Sequence, residues 1–372
     1  MISIIFYVVC NILVKIIVLK SNKVLFIKNI ALKKLVFIVF LCHFVGFLFA
    51  QDPHFSQSYA SPMYLNPALT GTTLEGRFTF NYRTQFPRLP GEFVTTQIGY
   101  EHYLSKIRSG IGISVLTDKA GSAGFKSTSV MASYAYNLFL NKESGLRGGM
   151  QVGVGQRSMD NFKLLFGDQI TPLGATNSVS AELGLPNLTL NYVDVNAGLA
   201  YYTSDFWIGV SGHHLNEPNF NFIAQKPEKL PMRISVQAGL SFRKYEVKKD
   251  KREEATAAFT PMIYYSRQGI YQQLDIGANL YRYPILLGFF YRAVPIINNY
   301  YGALVTQTGF TYNTMTFLYS FDMGIGQFAR NTGGAHEISV LFRTSQSKQI
   351  KRKYKRKGSN YVAFPSMLGN VW

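Results

Sequence analysis

Cysteine is nearly absent. The chain has two, Cys10 and Cys42, both within the first fifty residues. If that stretch is removed, the remainder has no thiol, which excludes a cysteine metal site, a thiol nucleophile and a disulfide. Acidic residues are missing from both ends: residues 1–50 hold six Lys and residues 345–372 hold seven Lys or Arg, with no acid in either. The formal net charge is +18, yet the body between the ends has 25 basic against 20 acidic residues. Nucleic-acid binding by the body is therefore not expected. Apolar stripes of helical period are also lacking between Glu75 and Arg343. Tryptophan is scarce, with 2 residues against 24 Tyr and 29 Phe, a balance unlike that of a soluble α/β enzyme.

What is present is period-two alternation. In "RISVQAGLSFR", Ile234, Val236, Ala238, Leu240 and Phe242 share one face, and Arg233, Ser235, Gln237, Gly239, Ser241 and Arg243 the other. In "GRFTFNY", Phe78, Phe80 and Tyr82 oppose Arg77, Thr79 and Asn81. The polar faces are rich in Gly, Ser, Gln, Asn and Arg, as a wet or plugged lumen needs. The apolar faces carry Tyr and Phe and few charges, as a lipid-facing surface requires. The expected fold is all-β, a transmembrane antiparallel β-barrel of about fourteen strands. They fall at 75–82, 93–103, 109–117, 124–139, 145–157, 190–202, 206–214, 232–245, 256–266, 270–283, 286–294, 301–313, 315–323 and 334–344. An even count puts both ends of the barrel on the periplasmic side, where short turns are expected. "EVKKDKREEA" is a long exception on that side, and the turn near Gln268 is a short one on the outer side.

Four segments are expected. Residues 1–50 form a signal or targeting segment, because "KNIALKKLVFIVFLCHFVGFLFA" has a Lys-rich start, an apolar run and Ala50 before Gln51. Leu41 before Cys42 argues against a lipoprotein site. Residues 51–74 form an N-terminal segment that is either a periplasmic linker or a partial plug. Residues 75–344 form the outer-membrane barrel, and 345–372 a basic periplasmic tail.

The start "QDPHFSQSYASPMYLNPALTGT" and the end "FDMGIGQFARNTGGAHEISVLFR" resemble the PorP/SprF family of outer-membrane barrels from the type IX secretion system of Bacteroidetes. Asp52, Pro53, Phe55, Ser56, Gln57, Asn66, Pro67, Ala68 and Gly71 carry the likeness at one end. Gly333, Gly334, Ala335, His336, Glu337, Ile338 and Ser339 carry it at the other. The resemblance implies a role in protein secretion. The barrel would partner an exported surface protein with a C-terminal sorting domain, in some members a gliding adhesin, together with other secretion components. Members often finish with a Cys-Pro segment, whereas this chain has Phe364 before Pro365.

The candidate partner-binding or plug residues are Asp52, Pro53, Phe55, Gln57, Tyr64, Asn66 and Pro67. The expected lumen polar residues are Arg233, Arg243, Arg292 and Glu337. Adjacent strand residues point to opposite faces, so His336 faces outward and Glu337 inward, where it is expected to pair with a lumen arginine such as Arg292 or Arg233. The two therefore do not work as acid and base in one site. By the same rule His213 and His214 diverge and cannot share a metal. Gly-x-Ser-x-Gly, P-loop and His-Glu-x-x-His patterns are absent, so no catalytic residue, metal or cofactor is expected. "GGMQVGVG" reads as a strand with a small-residue face, not a nucleotide loop. In the tail, Lys351, Arg352, Lys353, Lys355, Arg356 and Lys357 are either a solvated end or a contact for an acidic partner. That partner would be a secretion component, a peptidoglycan-linked periplasmic protein or anionic outer-membrane lipid. A passive pore for small solutes is the alternative function.

Overall fold

The computed structural model describes residues 52–73, 76–121, 124–159, 167–171, 174–175, 188–222, 228–247, 253–296, 299–326 and 331–344. The expected signal segment and the basic tail lie outside the described residues.

Among the described residues, fourteen antiparallel strands form one closed sheet. They are β1 (Arg77–Gln85), β2 (Phe93–Leu104), β3 (Ser109–Ala120), β4 (Phe125–Phe139), β5 (Ser144–Met159), β6 (Leu188–Thr203) and β7 (Phe206–His213). There follow β8 (Arg233–Leu240, resumed as Phe242–Val247 after a break at Ser241), β9 (Glu253–Gln268), β10 (Tyr271–Arg282), β11 (Ile285–Ile296), β12 (Asn299–Tyr312), β13 (Met315–Gly324) and β14 (Ala335–Arg343). Each pairs with its sequence neighbours. The ring closes where β1 meets β14, in register from Arg77 opposite Arg343 to Gln85 opposite Ala335. Every predicted strand is present. Most run a few residues further toward the rim opposite the chain ends, because the ladder continues there after the hydrophobic alternation fades.

The faces sort as the alternation requires. Phe78 and Phe80 on β1 are 48% and 40% exposed, while Thr79 and Asn81 are 3% and 0%. The outward band continues through Ile98, Ile113, Val152, Phe289 and Phe317, all exposed. A surface this apolar is stable only against lipid.

Gly76 and Thr344 close one rim by mutual hydrogen bonds. Short turns share that rim, including the one at Tyr283-Pro284. The strand ends that flank the longer connections, Met159 and Leu188, and His213 and Arg233, are at the other. By the turn-length rule the first rim is periplasmic. Both ends of the long "EVKKDKREEA" connection are strand, with Glu246 opposite Glu254 and Val247 opposite Glu253, and residues 248–252 between them lie outside the described residues.

Candidate functional site

Residues Asp52–Thr73 do not join the sheet. Pro62 and Pro67 each sit at the first position of a short helix, where a missing N–H costs nothing. They divide the segment into three brief turns, Ser58–Ala60, Pro62–Leu65 and Pro67–Leu69. Asn66 caps the last by accepting from the Ala68 amide at 2.8 Å. The result is compact and lies inside the barrel. Tyr59 and Ala60 cluster with Ala258, Tyr281, Leu286, Leu318 and Leu341. Leu65, Ala68 and Leu69 cluster with Ala200, Tyr202 and Trp207. These apolar side chains point into the lumen, where the packed segment keeps water away from them.

Glycines make the room. A Cβ on Gly149 would collide with the backbone of Pro67 and Ala68, and one on Gly110 with the carbonyl of Thr70. The "GGMQVGVG" strand thus uses Gly149 for close backbone approach, not for a phosphate.

Polar groups hold the segment at three levels. Near the periplasmic rim Arg147 donates to the carbonyls of Ala68 and Thr70, and Glu101, paired with Arg77, accepts from the Gly71 amide at 2.9 Å. Between mid-height and the outer rim Glu337 accepts from the amides of Ser56 (2.7 Å) and Gln57 (3.1 Å). Arg83 bridges Glu337 (3.2 Å) and Asp322 (2.8 Å), and Arg292 bridges Asp322 (2.7 Å) and Asp275 (2.9 Å). Toward the outer rim the Asp52 carboxylate meets His214 Nε2 at 2.8 Å and Arg233 at 3.1 Å, and the Asp52 amide donates to Gln268 at 2.8 Å. His214 Nδ1 meets Asp194 at 2.9 Å. Arg233 also lies over the Tyr64 ring, 4.6 Å from its centre.

The charge states follow from these neighbours. Burial and the guanidiniums of Arg292 and Arg83 hold the His54 ring well below its usual range. It is neutral, with Nε2 accepting from Arg292 at 3.0 Å. Burial opposes charge on His214, but Asp52 and Asp194 outweigh it and push the ring up to about 9. Burial also opposes charge on Asp52, yet His214 and Arg233 hold its carboxyl well below the usual carboxylate range.

The predicted residues separate accordingly. Asp52, Pro53, Phe55, Gln57, Tyr64, Asn66 and Pro67 all belong to the segment inside the lumen. Arg233, Arg292 and Glu337 face it. Arg243 does not, and instead bonds Ser241 and the Ser204 carbonyl at a turn on the periplasmic rim. Two expectations need correction. Glu337 does pair with a lumen arginine, but with Arg83 in place of Arg292 or Arg233, because Arg83 lies directly opposite it in register. His213 and His214 do not diverge: β7 ends at His213, His214 takes φ 57°, and both rings are buried. His336 does face outward, accepting or donating at 2.8 Å with the Tyr319 hydroxyl. The tail residues Lys351, Arg352, Lys353, Lys355, Arg356 and Lys357 lie outside the described residues. Arg83, Asp322, His54, Glu101 and Arg147 were missed. Arg83 was the most legible, since it continues the inward face of Arg77, Thr79 and Asn81.

At the outer rim the segment's first residues and the strand ends enclose a cavity of about 610 Å³. Among the described residues no group of three or more His, Cys, Asp or Glu side chains is arranged to hold a metal ion.

No curated protein matches the chain. Among solved structures it is similar to the CymD monoaromatic hydrocarbon channel, at 13% identity and TM-score 0.45, covering 77% of this chain and 93% of that one. It is also similar to the P. putida toluene transporter TodX, at 10% identity and TM-score 0.42, covering 76% and 93%. For BamA from Haemophilus ducreyi lacking POTRA domains 1–3, the values are 8%, 0.35, 73% and 71%. At such values the likenesses decide nothing about function. The family described as "Type IX secretion system membrane protein PorP/SprF" matches residues 47–342. The motifs at Asp52–Gly71 and Gly333–Ser339 fall within that match, and they are the parts of the chain that meet inside the lumen. The chain belongs to the PorP/SprF family of type IX secretion system membrane proteins, and it lies in the cell outer membrane.

Proposed function

We propose that the protein serves type IX secretion as an outer-membrane barrel that binds an exported surface protein and helps to export or anchor it. The partner would carry a C-terminal sorting domain, in the manner of a gliding adhesin. One observation carries this reading: Asp52–Thr73 occupies the lumen and is tied to strands on opposite sides of it, through Glu337 and through His214. A barrel filled in this way suits a rigid scaffold better than an open conduit. The long connections between β5 and β6 and between β7 and β8, whose strand ends are at the outer rim, are the natural contact for the partner. The basic tail is the natural contact for other secretion components or for a peptidoglycan-linked protein. No step of bond chemistry is assigned.

The test is a mild-detergent pull-down of tagged protein from outer membranes, read by mass spectrometry. One large exported protein with a sorting domain is the expected co-purifying species, and recovery of the barrel alone defeats the reading. A second reading, passive passage of small solutes, is favoured by the cavity at the outer rim. Single-channel recording of the intact protein and of a variant lacking Asp52–Thr73 separates the two. The scaffold reading expects conductance only from the deletion variant, and the pore reading expects it from both.

A further inference from the structure

The cavity at the outer rim has a definite chemistry. Its volume of about 610 Å³ lies within the range of small-molecule sites, about 300–1,000 Å³. The charged side chains of its lining are already committed to one another. Asp52 is held by His214 and Arg233, Arg83 by Asp322 and Glu337, and Arg292 by Asp275 and Asp322. His54, wedged against the two arginines, uses its ring nitrogen on them. An ionic ligand entering here would lose its water and find its countercharges taken. The rest of the wall mixes aliphatic, hydroxyl and glycine positions with aromatic rings and amides, among them Phe55, Phe86, Tyr264 and Tyr271 with Gln85 and Gln272. Rings of this kind take a flat apolar body, and side-chain amides take a donor and an acceptor on its edge.

We propose that this cavity binds a small uncharged molecule with an aromatic body and an amide- or hydroxyl-bearing edge, entering from the outer rim. The site does not depend on which reading of the lumen holds, since its wall exists with the segment in place. Four of the lining residues, Asp52 to Phe55, belong to the end of that segment, so an occupant also braces it.

Two isosteric fluorescent probes test the charge rule on the full-length barrel in nanodiscs, namely 1-naphthaleneacetamide, which is neutral, and 1-naphthaleneacetate, its anion. The amide is expected to bind saturably at one site per barrel, with the anion weaker by about tenfold or more. Phe86→Asp places an unpaired charge in the wall and is expected to weaken the amide by a similar factor. Phe86 has φ 59°, a conformation that Asp tolerates better than Phe, so the fold is expected to survive. Heat-modifiable gel migration checks that. Tyr271→Ala removes a ring without adding charge and is expected to weaken the amide as well. Unsaturable uptake of the amide, equal binding of the anion, or unaltered binding in both variants overturns the proposal.

Discussion

Arg83 and Glu337 stand directly opposite each other across the seam where the first and last strands close the barrel, and their side chains meet at 3.2 Å. The same Glu337 carboxylate receives the amides of Ser56 and Gln57. One buried acid therefore ties barrel closure to the lumen segment. Glu337→Gln removes the charge and leaves Asp322 as the one carboxylate that pairs with Arg83 among the described residues. Breaking a buried pair on one side costs about 3–5 kcal/mol. The expected loss is about 3 kcal/mol in urea unfolding from lipid vesicles. His336→Gln, one residue away but outward, is expected to cost about 0.5 kcal/mol or less. Equal effects for the two would refute this division of roles.

Docking of the segment's first residues should depend on pH with an optimum near 6.5. His214 is pushed up to about 9 by Asp52 and Asp194, so its contribution is complete below the usual histidine value of about 6.5 and disappears as pH rises through about 9. His54 is held down by burial, Arg292 and Arg83. Its contribution is complete above about 6.5 and declines below it, because the free ring takes a proton that the docked ring refuses. Protease cleavage within Asp52–Thr73 should be slowest near that optimum. His214→Gln should flatten the alkaline limb and His54→Gln the acid limb. A profile indifferent to both substitutions removes the two histidines as the source of the pH dependence.

The fourteen strands were legible because lipid and lumen impose opposite chemistries on alternate residues. The seam pair was legible in part: alternation put Glu337 inside, but it fixes register only to within two-residue steps, and register decides the partner. Leu286 shows where alternation breaks down. It points inward between Ile285 and Leu287, which point outward, so the stretch is apolar on both faces and alternation vanishes. The reason is the Tyr59–Ala60 turn packed in its cluster, which only the folded segment reveals. His214 failed differently, because a left-handed residue at the strand end cancels the period-two rule.

The outward face supplies a depth-dependent prediction. Phe80 lies midway along β1, exposed to lipid. Phe80→Arg should cost about 2–4 kcal/mol, as for cations near the bilayer midplane. Thr84→Arg, toward the outer rim on the same face, should cost about 0–1 kcal/mol. Folding titrations in vesicles measure both, and the ordering is the test.

Gly148 and Gly149 are neighbours with opposite surroundings. A Cβ on Gly148 meets only the Leu199 side chain at 3.6 Å, an ordinary contact, whereas one on Gly149 collides with the Pro67–Ala68 backbone. Gly148→Ala should therefore be close to neutral. Gly149→Ala should push the segment off the wall at a cost of about 1–3 kcal/mol, the range for overpacking. Trp207 is the reporter, since it is 2% exposed and shares a cluster with Leu65, Ala68 and Leu69. With Trp372→Phe as background, Trp207 emission should shift to the red in Gly149→Ala and stay put in Gly148→Ala. If the emission is the same in both, the Pro67–Ala68 turn does not need the space that Gly149 leaves, and the close approach is not what keeps that residue small.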